Sequence, residues 1–174
     1  MTLDTHELRH RPGAERTVQV TVPAPAGLAT AVIGVPESEP LELNLRLECV
    51  SDGVLVTGTV SGHGAGECVR CLDEVEIEID ADVQELYLFP ELRKLHGNDD
   101  EDLCELEGDL LDLEPAIRDA VVSTLPFAPL CGLDCPGLCA ICGVHLADEP
   151  GHAHDVIDPR WSALEELFDK MKES

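Results

Sequence analysis

Residues 41–50, LELNLRLECV, set Leu41, Leu43, Leu45 and Leu47 on one side of the chain and Glu42, Asn44, Arg46 and Glu48 on the other. Only a strand has a side-chain period of two; a helix would scatter these leucines around its circumference. One face of this strand belongs in a core and the other in water, so an antiparallel sheet covered on one side is expected. Cys49 continues the apolar row and is expected as a buried thiol.

Outward from this strand, Ser51-Asp52-Gly53 offers a tight turn, and VLVTGTVSG (54–62) reads as the returning strand. DEVEIEID (73–80) alternates Val75, Ile77 and Ile79 with Glu74, Glu76, Glu78 and Asp80, a strand with an acidic wet face, and VQELYLF (83–89) reads as another. Upstream, RTVQVTV (16–22) puts Val18, Val20 and Val22 on one face. The segment PAPAGLATAVIGVPESEP (23–40) is broken by proline and glycine and reads as a connector or irregular edge. Nine acids and no base occur from Asp99 to Glu114, so about residues 97–109 are expected to form a mobile loop.

Two helices follow. In the first, Asp112 is a candidate cap, Pro115 suits the first turn, and Ile117, Ala120, Val121 and Thr124 or Leu125 share a face until Pro126 stops it. The second opens with Asp158 and Pro159 and carries Trp161, Leu164, Leu167, Phe168 and Met171 on a stripe suited to docking. The expected fold is therefore α+β: an antiparallel β-meander of five to six strands with one packed helix, a cysteine-rich zinc-binding extension and a C-terminal helix. Residues 1–130 would form the sheet domain and 131–174 the extension.

The 174 residues suffice for one ordinary core. The opening has no apolar run of signal-peptide length and no eighteen apolar residues stand together, which predicts a cytoplasmic protein with no membrane segment. A formal charge of −25 disfavours broad RNA or DNA binding, because a phosphate backbone is repelled by such a surface. A basic protein partner fits that charge better. Arg9, Arg11, Arg16 and Arg70 are the candidates for a small local phosphate contact.

Eight cysteines are too few for a disulfide scaffold of this length, and a reducing compartment points to metal. Cys68 and Cys71 in ECVRCL, and Cys139 and Cys142 in CAICG, form Cys-x-x-Cys pairs in turn settings, the knuckle of structural zinc sites. Cys131 and Cys135 lie just ahead of the second pair, and His152 and His154 ten residues beyond it. Two partitions satisfy tetrahedral zinc. One is local, with Cys131, Cys135, Cys139 and Cys142. The other makes an all-cysteine set of Cys68, Cys71, Cys131 and Cys135 and a mixed set of Cys139, Cys142, His152 and His154; it orphans no ligand and is preferred. An iron–sulfur reading of Cys135, Cys139 and Cys142 needs a larger enzyme, and a thioredoxin-like pair needs a βαβ unit that ECVRCL lacks. Cys104, in the acidic block, is a candidate reactive thiol. His63, His96 and His145 have no evident partner and are expected on the surface. No catalytic constellation emerges.

The ordered set ECVRCL, LLDLEPAIRDAVVSTLPFAPLC, DCPGLCAICGVHL and DPRWSALEEL resembles the YceD family of bacterial and plastid proteins known for large-subunit ribosomal RNA accumulation, over roughly residues 41–172. The resemblance implies support for 23S ribosomal RNA maturation or stability, with Cys68, Cys71, Cys131 and Cys135 at the family's metal-like positions. His152 and His154 stand where other members carry Cys-x-Cys. The expected function is a non-catalytic ribosome-biogenesis factor with structural zinc, acting through a basic ribosomal protein or an RNA-processing factor. The alternatives are a redox- or zinc-sensing cysteine module and a metal-dependent RNA-processing enzyme.

Overall fold

The computed structural model describes residues 1–9, 11–92 and 104–154. Its strands are β1 (Thr2–Asp4), β2 (Glu15–Pro23), β3 (Ile33–Gly34), β4 (Pro40–Cys49), β5 (Gly53–Glu67), β6 (Glu74–Leu88) and β7 (Leu110–Asp112), followed by helix α1 (Glu114–Thr124). The architecture is mostly antiparallel β. In the main sheet β2, β4, β5 and β6 lie side by side, and β3 pairs with β5 beyond the end of β4. β1 and β7 form a separate two-stranded ribbon.

The leucine row of β4 is the floor of the core: Leu41, Leu43, Leu45 and Leu47 are all buried, and Cys49 with them. Each fully buried leucine is worth about 1.5–3 kcal/mol relative to exposure. Helix α1 lies over β6 and β5 and buries Ala116, Ile117 and Val121 against this face. Glu42, Asn44 and Arg46 point the other way, as do Glu74, Glu76, Glu78, Asp80 and Asp82 of β6, so the outer face is polar with an acidic margin.

Several features depart from the sequence reading. β5 does not stop at Gly62 but continues through HGAG; it runs fifteen residues and pairs along its whole length with an equally long β6. Glycine serves here to admit a crossing chain: a Cβ on Gly66 would lie 2.4 Å from the Val32 carbonyl oxygen and 2.7 Å from Ile33 Cα. That crossing chain is the supposed connector, and it closes the core with Ala24, Leu28, Ile33 and Val35. Its fastening to α1 is polar, since Arg118 donates to the carbonyls of Gly27 (2.8 Å) and Ala26 (3.1 Å). Conversely, β2 is an outer strand, and its Val20 stays 40% exposed because little covers the sheet at that margin.

The second part of the acidic block is not free loop. Leu106 is buried, and backbone bonds from Leu88 to Cys104 (2.9 Å) and from Leu106 to Leu88 (3.0 Å) hold it along β6. One apolar residue supplies enough anchorage to override the surrounding charge. Asp112 is not the cap of α1, a position taken by Leu113; it accepts from the Glu114 amide at 3.1 Å and pairs with the amino group of Met1 at 2.8 Å. The C-terminal stripe from Trp161 to Met171, and residues 97–103 of the acidic block, fall outside the described residues.

Candidate metal centres

The β5–β6 hairpin turns through Cys68–Asp73. The Cys68 amide donates to the Asp73 carbonyl (2.8 Å) and the Leu72 amide to the Cys68 carbonyl (2.9 Å). The second Cys-x-x-Cys repeats this pattern: Cys139 donates to Val144 (2.8 Å) and Gly143 to Cys139 (2.8 Å). Both turns need a left-handed residue after the second cysteine, Leu72 at φ 65° and Gly143 at φ 74°. Glycine accepts that conformation freely, whereas leucine pays about 1–2 kcal/mol for it.

The chain leaving α1 returns to the first knuckle. Pro126 stops the helix, the Val69 amide donates to the Pro129 carbonyl at 3.0 Å, and Leu130 packs beside the thiols. Cys131 and Cys135 thereby meet Cys68 and Cys71: Sγ of Cys71 lies 3.4 Å from that of Cys131, and Sγ of Cys68 lies 3.9 Å from that of Cys135. The second group contains Cys139, Cys142, His152 and His154. There Cys142 Sγ is 3.2 Å from Nε2 of each histidine, and the two Nε2 atoms are 2.8 Å apart. Within each group all four donor atoms lie within 4.8 Å of one another. Zinc–sulfur and zinc–nitrogen bond lengths give tetrahedral edges of about 3.8 Å (S–S), about 3.6 Å (S–N) and about 3.3 Å (N–N). Each group can therefore hold one metal ion with small adjustments.

The protein softens the thiolate charge with backbone amides. At Cys68 burial works against ionisation, yet the amides of Cys131, Cys71 and Arg70 bring the thiol down to about 6. The amides of Cys142 and Ile141 bring Cys139 to about 6 as well. At Cys71 the Asp73 amide favours the thiolate, but burial, the Asp73 side chain and neighbouring thiols together push that thiol up. In each knuckle the backbone amides thus favour the thiolate form of the first cysteine, the form that binds metal.

The groups differ in setting. Cys68, Cys71 and Cys135 are buried, with Cys131 at the surface, whereas Cys142 and His154 are exposed and Cys139 and His152 half-buried. They are joined through Arg70, which donates from Nη1 to the Cys135 carbonyl (3.0 Å) and accepts at its own carbonyl from the Leu138 amide (3.0 Å). Gly137, at φ 80°, permits this approach: a Cβ there would sit 2.9 Å from the Arg70 carbonyl oxygen. Arg70 is therefore a structural tie.

Glu149 escaped the sequence reading. Its Oε2 lies 3.0 Å from Nδ1 of His152, leaving Nε2 for the metal, the usual way a carboxylate orients a liganding imidazole. The Glu-x-x-His spacing carried the signal, hidden among 36 acids. His145 approaches Asp73 at 3.9 Å, across the two groups. His63 is exposed on β5 opposite Glu78, and His96 lies outside the described residues. Cys104 is half-buried at the edge of the core.

Fold and site together define a β-sheet protein with two four-donor cysteine and histidine groups, each able to hold a metal ion. No helix among the described residues is long and apolar enough to cross a membrane. The chain belongs to the YceD family: the profile described as large ribosomal RNA subunit accumulation protein YceD matches residues 56–168. It is 44% identical over 168 residues to proteins of Mycobacterium tuberculosis and Mycobacterium bovis described only as uncharacterized, with 97% of this chain and 81% of theirs covered. A Mycobacterium leprae protein, likewise described as uncharacterized, is 40% identical, covering 97% of this chain and 77% of its own. No solved structure matches significantly.

Proposed function

We propose that this protein is a non-catalytic factor supporting large-subunit ribosomal RNA accumulation, and that its two groups hold structural zinc ions. The family description supplies the ribosomal connection. The completeness of the two donor sets carries the rest: four soft or borderline donors close a tetrahedron around zinc and leave no position for water or substrate. The first ion would tie the β5–β6 hairpin to the chain leaving α1, and the second would hold the knuckle that leads to residues 152–154.

The charge supports action through protein contacts, and the family description fits a cytoplasmic setting. A chain at −25 repels long RNA, while the acidic margin of β6 suits a basic ribosomal protein or RNA-processing factor. Elemental analysis of untagged protein purified under reducing conditions is expected to give about two zinc ions per chain, as the two donor sets require. Depleting the protein in its native host is expected to lower the ratio of 23S to 16S ribosomal RNA; an unchanged ratio would refute the ribosomal role. Exposure of Cys142 favours a second reading, a redox or zinc sensor, for which mild oxidant would release the second ion and change a cellular response to oxidants.

A further inference from the structure

The described residues contain six arginines and no lysine, and three of those arginines line one cleft. The cleft, of about 860 Å³, lies between the loop joining β1 to β2 and the start of β2, and Arg9, Arg11 and Arg16 share it with His6, Glu7 and Asp109. The loop is held in place. Leu8 is buried, the Leu8 and Arg9 amides donate to the Thr5 carbonyl (2.9 and 3.2 Å), and the Gly13 amide donates to the Cys49 carbonyl (2.8 Å). The backbone that carries these arginines is therefore preset, and only the Arg11 and Arg16 side chains have to be ordered on binding.

Two of the acids that line the cleft already have partners. Asp109 takes Arg9 at 2.6 Å and His6 at 3.1 Å, and Glu15 takes Arg46 at 2.6 Å. Glu91 takes the other terminal nitrogen of Arg9 at 2.8 Å. Among the described residues the Arg16 side chain has only the Asp4 carbonyl, at 3.2 Å, and the Arg11 side chain has no hydrogen bond or ion pair. Glu7 is the lining carboxylate with no cationic partner among the described residues. The buried Nε of Arg9 lacks an acceptor and is the one such side-chain atom among the described residues.

We propose that this cleft binds a phosphoryl group, with Arg11 and Arg16 as its direct ligands and Arg9, locked on Asp109 and Glu91, as its fixed wall. Planar guanidinium groups match phosphate oxygens in pairs, and Arg11 and Arg16 line one cleft with no carboxylate partner of their own among the described residues. The remaining acidity of the protein does not cancel the site, because charges farther than about 8 Å are largely screened at physiological ionic strength. A site of this size grips one or two phosphates and does not coat a strand. It stands independently of the protein-contact reading above.

The test titrates the full metal-loaded chain with three probes: inorganic phosphate, a nucleoside monophosphate and a short single-stranded RNA. Saturable binding of at least one is expected at physiological ionic strength, weakened about tenfold for each arginine removed in R11A and R16A, and strengthened in E7Q. If the phosphate belongs to an RNA strand, the RNA binds tightest and its log affinity falls with log salt at a slope of about −1.4, for two neutralised charges. If it belongs to a small molecule, the monophosphate or free phosphate competes fully with the RNA. Absence of binding by all three probes overturns the proposal, as does binding that R11A/R16A leaves unchanged. Arg11 is exposed, so the variants are expected to keep their melting temperature and metal content; E7Q, changing affinity in the opposite direction, separates a ligand effect from damage to the fold.

Discussion

Removing Glu149 separates the two metal groups by a contact that only one of them has. Its carboxylate holds Nδ1 of His152 at 3.0 Å, while the all-cysteine group lies beyond the Arg70 tie and has no imidazole for a carboxylate to orient. Loss of a carboxylate that orients a liganding imidazole lowers metal affinity about 10- to 100-fold. The side chain of Glu149 is 57% exposed and that of His152 16%, so water can take over part of the acceptor role in Glu149→Ala. The lower limit applies: about tenfold, or about 1.4 kcal/mol. Glu149→Gln, which keeps a carbonyl acceptor without the charge, should lie between wild type and alanine. The assay follows zinc transfer from loaded protein to a chromogenic chelator, where two groups of different exposure give two phases. Only the phase of the mixed cysteine and histidine group should shift, with the other as internal control. A variant in which neither phase moves, or in which the buried all-cysteine phase moves, would refute the assignment of Glu149.

Cys71→Ser should reduce the metal content by about one ion per chain and make the segment around residues 126–135 sensitive to protease, because the ligands of the first group come from two distant parts of the chain. Leu72→Gly should be neutral or stabilising by up to about 1 kcal/mol in thermal unfolding, since release of left-handed strain offsets the added freedom of the unfolded chain; Gly143→Val should instead loosen the second knuckle and its ion. Tyr87 is buried and donates to the Asp112 carbonyl at 2.8 Å, and burial raises its pKa above the ordinary value. A raised folded pKa means stability is fully present below about pH 10 and falls as the pH rises beyond it, a decline that denaturant titrations should show and that Tyr87→Phe should flatten. The carboxylate of Asp109 is held below its ordinary range by hydrogen bonds from Arg9 and His6, so its contribution is present above about pH 4 and lost as the pH falls through the lowered value; Asp109→Asn should remove that acid-side loss.

The alternation Leu41, Leu43, Leu45, Leu47 sufficed to establish an antiparallel sheet with one buried face, because no other backbone geometry has that period. The apolar face of α1 and both Cys-x-x-Cys turns were equally local: periodicity, proline and glycine placement and ligand spacing all lie within one turn or hairpin. Other features depended on contacts between distant residues. Spacing left a single local set of Cys131, Cys135, Cys139 and Cys142 open beside the preferred split; the return of the chain from Pro129 to Val69 brings Cys131 and Cys135 to Cys68 and Cys71. The pairing of Thr2–Asp4 with Leu110–Asp112 joins stretches a hundred residues apart, too short to show a period. The returning strand was read only as far as Gly62, until Ile33–Gly34 was found paired with Gly66 and Ala65 beyond it, and Glu149 was one acid among many until folding put it against His152. The same holds for the arginine cleft, where sequence supplied the cations and only tertiary structure decided which of them met a carboxylate. Local order follows from what each residue permits its neighbours; the sites follow from loop closure, which brings chemistry together without regard to its distance along the chain.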